Sequence, residues 1–391
     1  AASDVYKRQA QVNRAVGIGQ GAGYQDLSSL LVHGVFRFAG RRLRSAARGR
    51  MNRELSHDRS SRSTPKTLQC AASARHPAPH LSRKDDMAQL TEEHVRELLT
   101  QFTEPYTGKD IVGLGWLRGI GIDGGRVSVD LRAGYPIDGI RDAMADRITA
   151  LLQADPAVEN AVVNLDWRVT ANKVQGELKP HEKIKNIIAV ASGKGGEGKS
   201  ATSVNQALAL AADGARVGVL DADINGPSMP RMLGVAGPPD TEGNRIGPKR
   251  AHGLQVKSIG FMVDEDTPMI WRGPMVTSAL QQLLSETNWE GLDYMIVDLP
   301  PGTGDIQLTL SQNIPVAGCV VVTTPQDIAT LDARKAVQMF RKVEMSVRGV
   351  VENISTHLCS NCGHEEAIFG SGGGQRMACL LYTSPSPRDR R

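Results

Sequence analysis

The feature that most constrains the fold is a glycine-rich stretch, Gly193-Lys194-Gly195-Gly196-Glu197-Gly198-Lys199-Ser200. It satisfies the pattern G-x-x-x-x-G-K-[S/T], it follows the apolar run 184–192, and it opens a segment of helical character that ends near residue 212. In this context the glycines turn backbone N–H groups toward a polyphosphate, Lys199 reaches the outer phosphates and Ser200 can ligate Mg²⁺. The stretch therefore predicts a nucleotide-binding site between a strand and a helix.

Short apolar runs recur through the second half of the chain, at 184–192, 216–220, 254–259, 294–297, 318–323 and 347–351. Helical or loop segments separate them. Buried strands that alternate with helices are typical of a parallel sheet with helices on both faces. We therefore predict an α/β fold with a mostly parallel P-loop NTPase sheet over residues 184–378.

A smaller pattern precedes this domain. Thr91 is placed to cap a helix, and the runs 116–122 and 126–131 form a hairpin across Asp123-Gly124-Gly125. Residues 137–152 have apolar side chains at helical spacing, and residues 158–169 alternate as a half-buried strand does. We predict a small α+β domain over 87–169, joined by a polar linker over 170–183.

The two ends differ from the rest in composition. Residues 1–86 hold 16 Lys and Arg against 6 Asp and Glu and show no sustained periodicity, so we expect a disordered or non-native basic leader. We also expect residues 379–391 to be a non-native tail and the second domain to be truncated near residue 378. The alternative is a natural basic arm and a natural Pro-rich tail.

Charge and cysteine content restrict the setting. Residues 87–378 hold 27 Lys and Arg against 35 Asp and Glu, so this part has no general attraction for nucleic acid or anionic membranes. Five cysteines in 391 residues are too few for a disulfide framework. We predict a cytoplasmic protein with neither nucleic acid nor membrane as partner.

Two acidic motifs follow predicted strands, at 221–228 and 298–305. A carboxylate at the carboxyl end of a strand beside a P-loop can hold Mg²⁺, and a second can orient the attacking water. We assign Asp298, with Ser200, to the magnesium shell and Asp223 to the water. The predicted catalytic residues are then Lys194, Lys199 and Asp223. For Asp223 and Asp298 the alternative is that each acid only caps the end of its strand.

A pair of cysteines, Cys359 and Cys362, follows the sixth predicted strand, flanked by His357 and His364. Two thiolates can grip one metal, but a [4Fe–4S] cluster requires four, so a two-fold dimer that joins two pairs would complete the site. Zinc bound by the same cysteines, with or without the histidines, stays open, and a thioredoxin-like redox pair is less favoured. Cys319, inside an apolar run, is predicted to be core.

Six motifs in order resemble the Mrp (ApbC) family of iron–sulfur cluster carrier ATPases, namely 221–228, 271–275, 298–307, 323–327, 351–353 and 369–374. Lys194 resembles the extra lysine of the deviant P-loop in the MinD, ParA and nitrogenase-iron-protein class, which implies contact with the nucleotide of a facing subunit. The resemblance implies that Asn353 recognises adenine, with a structural asparagine as the alternative. It implies ATP contacts from Gly193, Lys194, Gly195, Gly196, Gly198, Lys199, Ser200 and Ala201. Glu197 is unusual in such a loop, and we expect its side chain to point outward.

The small domain resembles the SufT-like iron–sulfur assembly domain in the phrase 108–115 and in its hairpin. Where that family usually has a cysteine, this chain has Tyr135 between Gly134 and Pro136, so a docking or structural role is favoured over metal chemistry. Together the resemblances imply a homodimeric, slowly hydrolysing ATPase that carries a [4Fe–4S] cluster to apo-proteins. The alternatives are a MinD/ParA-like positioning or partitioning ATPase and a zinc-binding P-loop ATPase.

Overall fold

The computed structural model describes residues 14–16, 90–224, 226–239, 241–242, 245–262 and 273–382. Within the predicted leader it describes one strand, β1 (Arg14–Val16). Three predicted segments lie partly outside the described residues: the leader apart from β1, residues 271–272 of the motif 271–275, and residues 383–391 of the tail 379–391. Residues 379–382 of that tail belong to a helix that ends at Tyr382. The leader, linker and tail boundaries stay predictions.

The small domain has the predicted order of helix, hairpin, helix and strand. Its elements are α1 (Glu92–Thr100), β2 (Leu117–Asp123), β3 (Arg126–Ala133), α2 (Arg141–Gln153) and β4 (Asn160–Trp167). The Thr91 side chain accepts the predicted capping hydrogen bond from the N–H of His94. Strand β3 is central, because it pairs antiparallel with β2 and parallel with β4. Alternate residues of β3 are buried, and they face the core that α1 and α2 cover.

The second domain is built on one large sheet. Its remaining strands are β5 (Ile184–Ser192), β6 (Val217–Asp221), β7 (Thr241–Glu242), β8 (Arg245–Ile246), β9 (Lys249–Ala251), β10 (Leu254–Ser258), β11 (Leu292–Asp298), β12 (Gly318–Thr323), β13 (Val347–Glu352), β14 (His357–Leu358) and β15 (Glu365–Glu366). Strands β13, β12, β5, β11, β6 and β10 lie side by side in that order and are mutually parallel. The predicted mostly parallel sheet is confirmed, with β1 and β9 antiparallel at its two edges.

Helices connect these strands and cover both faces of the sheet. They are α3 (Lys199–Ala212), α4 (Met229–Leu233), α5 (Gly273–Ser285), α6 (Asp305–Asn313), α7 (Asp327–Lys342) and α8 (Gly373–Tyr382), with a 3₁₀ turn at Ile259–Phe261. Two separate apolar clusters form the core, one on each face of the sheet. In the described part of the chain, no helix is both long and apolar enough to span a bilayer.

Residues 170–183 run between the domains without helix or strand, and they are fixed to the second domain. Gln175 is buried, and its side-chain amide donates to the carbonyl oxygens of Ser311 and Ile314 while its Oε1 accepts from the N–H of Val316. These bonds hold the segment against the end of α6 and the residues that lead into β12.

Candidate functional site

The glycine-rich loop joins β5 to α3 at the carboxyl edge of the sheet. Gly196 and Gly198 have φ of 86° and 82°, which side chains with a Cβ rarely adopt. Gly193 packs against α7 so closely that an added Cβ would lie 2.6 Å from the backbone N of Ala333. Helix α3 begins at Lys199, so its N-terminal N–H groups face the loop. The loop has the strand, turn and helix that the sequence predicts.

The predicted lysine, serine and acids meet at one point. Lys199 Nζ lies 2.7 Å from Asp298 Oδ2 and 3.6 Å from Asp223 Oδ2. Asp298 also accepts hydrogen bonds from Ser200 Oγ at 2.6 Å and from Ser203 Oγ at 2.7 Å. Asp298 is fully buried, and burial raises the pKa of Asp223 above its usual range while the Lys199 charge opposes that shift. The oxygen atoms of Ser200 and Asp298 are therefore close enough to share one Mg²⁺, whose preferred ligands are oxygens.

Asp221 has a structural role that the sequence did not reveal. Its Oδ2 accepts from the N–H groups of Ser228 and Met229 at 3.0 and 3.1 Å and from Ser258 Oγ at 3.0 Å. Burial raises its pKa to about 7, and the nearby charge of Asp298 adds to that rise. Asp221 thus fixes the start of α4 to the sheet, whereas Asp223 lies beside the P-loop lysine.

The prediction that Glu197 points outward is wrong. Its side chain is 4% exposed, and its Oε2 accepts a hydrogen bond of 3.1 Å from the N–H of Lys194 inside the loop. Burial raises its pKa to about 7, and Asp332 adds to the rise. The N–H groups of the loop hold the carboxyl group inside, although they offset only part of the cost of burying its charge. The carbonyl oxygen of Glu197 accepts a bond of 2.8 Å from Nδ2 of Asn353.

Lys194 lies on the open side of the loop. Its side chain is 50% exposed, and its Nζ is 3.6 Å from Asp332 Oδ2 near the start of α7. An ammonium group in this position is accessible to a second molecule, as a contact across a subunit interface would require.

The two predicted metal ligands lie in the β14–β15 hairpin. The N–H of Cys359 donates to the His364 carbonyl oxygen, and the N–H of Gly363 donates to the Cys359 carbonyl oxygen, each at 2.9 Å. Cys359 is half-buried and Cys362 is exposed. The N–H groups of Cys362 and Asn361 lower the pKa of the Cys359 thiol. Both sulfur atoms belong to one short loop whose backbone is fixed by hydrogen bonds.

One chain does not complete a metal site from these residues. Across the described residues, no three His, Cys, Asp or Glu side chains are grouped closely enough to hold one ion. The side chains of the zinc alternative, Cys359, Cys362, His357 and His364, are thus not grouped as one site within the described residues. Cys319 is fully buried in β12, as predicted for a core residue, and burial raises the pKa of its thiol.

The chain resembles known protein families in both domains. Residues 183–384 match the family described as NUBPL iron-transfer P-loop NTPase, and residues 92–164 match the iron-sulfur cluster assembly protein family. The chain belongs to the NUBPL iron-transfer P-loop NTPase family. This membership agrees with the predicted resemblance and with the geometry of the P-loop.

Relatives of this NUBPL-family chain carry related names. The iron-sulfur cluster carrier protein of Haemophilus influenzae is 49% identical over 302 residues, which are 75% of this chain and 80% of that protein. That of Escherichia coli K12 is 57% identical over 225 residues, or 56% of this chain and 61% of that protein. The mouse iron-sulfur cluster transfer protein NUBPL is 50% identical over 206 residues, or 52% of this chain and 65% of that protein.

A solved structure also resembles the NUBPL-family chain. It is a nucleotide-binding protein from Archaeoglobus fulgidus in complex with ADP, 35% identical, and it matches 52% of this chain and 80% of its own with a TM-score of 0.46.

The small domain of this NUBPL-family chain has a packed aromatic residue where the SufT-like family usually has cysteine. Tyr135 is 7% exposed, and its ring makes edge-to-face contacts with Trp116 at 5.5 Å and Tyr106 at 6.1 Å between centroids. The position belongs to the core of the small domain.

Proposed function

We propose that this protein binds ATP and carries an iron–sulfur cluster that it passes to apo-proteins. The observation that carries the proposal is an accessible Cys359–Cys362 pair in a chain that also has a complete P-loop. Its relatives are named as carrier and transfer proteins of such clusters. A positioning or partitioning ATPase would have no use for the cysteine pair.

The cargo is a [4Fe–4S] cluster held between two copies of the chain. One chain supplies two thiolates, and such a cluster requires four, so a two-fold axis beside the hairpin would complete the site. Leu358, Ile368 and Phe369 lie near the hairpin and are 45%, 58% and 45% exposed. Apolar side chains exposed beside a metal-binding loop are what a subunit interface would bury. The protein is thus a homodimer in its loaded form.

The P-loop binds MgATP. The backbone of residues 193–201 surrounds the phosphates, including Gly195 and Ala201, and Lys199 turns from Asp298 toward the outer phosphates. Ser200 and Asp298 would hold Mg²⁺, which would neutralise charge on the phosphates. Asp223, beside the same lysine, orients the attacking water, and Lys194 extends to the nucleotide of the partner subunit. We expect hydrolysis to be slow, as the resemblance implies.

A hydrogen bond and a short stretch of chain link the glycine-rich loop to the cysteines. Asn353 bonds to the loop carbonyl of Glu197 and lies six residues before Cys359 in the chain. A shift of the loop on nucleotide binding would move the segment that leads to the hairpin. Nucleotide state would then alter subunit contacts and the retention of the cluster. We place this activity in the cytoplasm, with apo-proteins and assembly factors as partners.

The test is reconstitution of the full chain with iron and sulfide under anaerobic conditions. We expect about two irons and two sulfides per chain, one cluster per dimer. Cys362→Ser should lose both without loss of ATP binding, whereas Cys379→Ser, which removes another exposed cysteine, should keep both. Zinc bound in place of iron, or ATP binding without either metal, would reject the proposal in favour of the alternatives.

A further inference from the structure

A cavity of about 460 Å³ lies between the small domain and the start of β5, far from the P-loop. Four basic residues line it, Arg118, Arg132, Arg168 and Lys185, and among the described residues that line it none is acidic. The other lining residues are Leu114, Gly115, Trp116, Ala133, Gly134, Val169, Thr170 and Ala171. Lys185 is the second residue of β5, whereas the glycine-rich loop follows the last. At about 3.3 Å per residue, this places the two sites roughly 23 Å apart along the strand.

The strand directions bring the basic residues together. Arg118 lies near the start of β2, Arg132 near the end of β3, and Arg168 directly after β4. Because β2 is antiparallel and β4 parallel to β3, all three lie at the same end of the small sheet. Hydrogen bonds fix this end, from the Arg132 N–H to the Trp116 carbonyl oxygen at 2.7 Å and from the Arg168 N–H to the Ala133 carbonyl oxygen at 2.9 Å.

The positive charges are only partly compensated. Arg132 Nε lies 3.5 Å from Asp166 Oδ2 in a largely exposed pair, and Lys185 Nζ lies 2.7 Å from Asp293 Oδ1. In the described part of the chain, neither Arg118 nor Arg168 has an ion pair. A concave site with two uncompensated guanidinium groups concentrates positive potential, although residues 87–378 are acidic in total.

We propose that this cavity binds a small molecule carrying two or more carboxylate or phosphate groups, which bridges the small domain and β5. Guanidinium groups present paired N–H donors that match carboxylate and phosphate oxygens. The volume lies within the range of about 300 to 1,000 Å³ for small-molecule sites, and it exceeds what one simple anion would fill. A concave site of this limited volume favours a small molecule over an acidic protein segment, which would need a longer groove.

The test is calorimetric titration of citrate and of pyrophosphate into the full chain, with MgADP present at saturation to occupy the P-loop. We expect at least one of the two anions to bind. The double variant Arg118→Gln and Arg168→Gln should weaken that binding roughly tenfold or more, since two charge-assisted contacts are lost. Arg126→Gln, at the opposite end of β3, is the matched control and should bind as the unaltered chain does.

The two titrations distinguish a carboxylate ligand from a phosphate ligand. Binding of citrate alone assigns a carboxylate ligand, binding of pyrophosphate alone assigns a phosphate ligand, and both outcomes support the site. Lys185→Gln, in the other domain, should weaken the same anion and serves if the double variant does not fold. The absence of binding by either anion, or equal binding by the altered and unaltered chains, would overturn the proposal.

Discussion

The side-chain amide of Asn353 donates a hydrogen bond of 2.8 Å to the carbonyl oxygen of Glu197, so the end of β13 supports the glycine-rich loop directly. Asn353 also lies so close to Gly198 that a Cβ added at that glycine would be 2.0 Å from the Asn353 Nδ2. Asn353 is 2% exposed, and its own N–H donates to the Thr323 carbonyl oxygen at 2.8 Å. These contacts give Asn353 a mechanical role in the site, beside the adenine contact that the resemblance implies.

Asn353→Ala should weaken nucleotide binding by loosening the loop. Loss of one buried hydrogen bond costs about 1–2 kcal/mol, which is roughly a 5- to 30-fold increase in Kd. If the amide supports the loop, MgATP and MgGTP should weaken by the same factor, as titration with each nucleotide would measure. Weakening of MgATP alone would instead assign the amide to adenine.

Glu197→Gln should remove a dependence of stability on pH. The buried carboxyl has its pKa raised from 4.5 to about 7, with Lys194 and Asp332 as the charged groups that face it. The folded chain therefore binds a proton more tightly than the unfolded chain, and the free energy of unfolding falls as pH rises from about 5 to 7. We expect the loss to be on the order of 2 kcal/mol.

Thermal unfolding at pH 5 and pH 8 checks this expectation for Glu197→Gln. The exposed Glu182→Gln is the matched control, and it should retain the pH dependence of the unaltered chain. If Glu197→Gln keeps the pH dependence of the unaltered chain, other groups cause that dependence.

The strands of the second domain could be predicted because parallel strands are buried on both faces. Such strands are continuous apolar runs, and the predicted bounds of β5 and β12 equal the observed Ile184–Ser192 and Gly318–Thr323. Helix α2 shows the limit of periodicity. Apolar spacing predicted its start at Ile137, but the helix begins at Arg141, and Ile137 packs in the core before the first helical turn.

The contacts of the site were predictable where a motif fixes them. The P-loop pattern and an acid at the end of β11 were sufficient to place Ser200 beside Asp298. The role of Asp221 could not be predicted, because one of its hydrogen-bond donors, Ser258, is 37 residues away in the chain. Such a bond depends on the pairing of β6 with β10, which no local pattern specifies.

Asp298→Asn should make nucleotide binding insensitive to Mg²⁺, because it removes the proposed carboxylate of the magnesium shell. It also leaves buried Lys199 with Asp223 as its remaining carboxylate, and breaking such a buried pair costs about 3–5 kcal/mol. Titration of ATP with and without Mg²⁺ measures the effect.

The matched control for Asp298→Asn is Asp293→Asn, which alters an acid at the other end of the same strand and should keep the Mg²⁺ dependence. Ser200→Ala removes the second proposed ligand and provides the same readout if Asp298→Asn unfolds. Full retention of Mg²⁺ dependence in both site variants would place the ion elsewhere.

Lys257→Met should stabilise the protein at neutral pH. Lys257 lies in β10, is fully buried, and its Nζ has no hydrogen bond within the described part of the structure. Burial lowers its pKa from 10.5 to about 8, so the unfolded chain binds more protons than the folded chain between these values. Stability should therefore rise with pH from about 8 to 10.5 and carry the full cost of the buried ammonium below pH 8.

Methionine removes that cost, and we expect a gain on the order of 2 kcal/mol at pH 7 with loss of the alkaline rise. Thermal unfolding at pH 7 and pH 10 measures the gain in stability and the loss of its alkaline rise. The exposed Lys173→Met is the control. A loss of stability in Lys257→Met would show that the ammonium is paired with an anion.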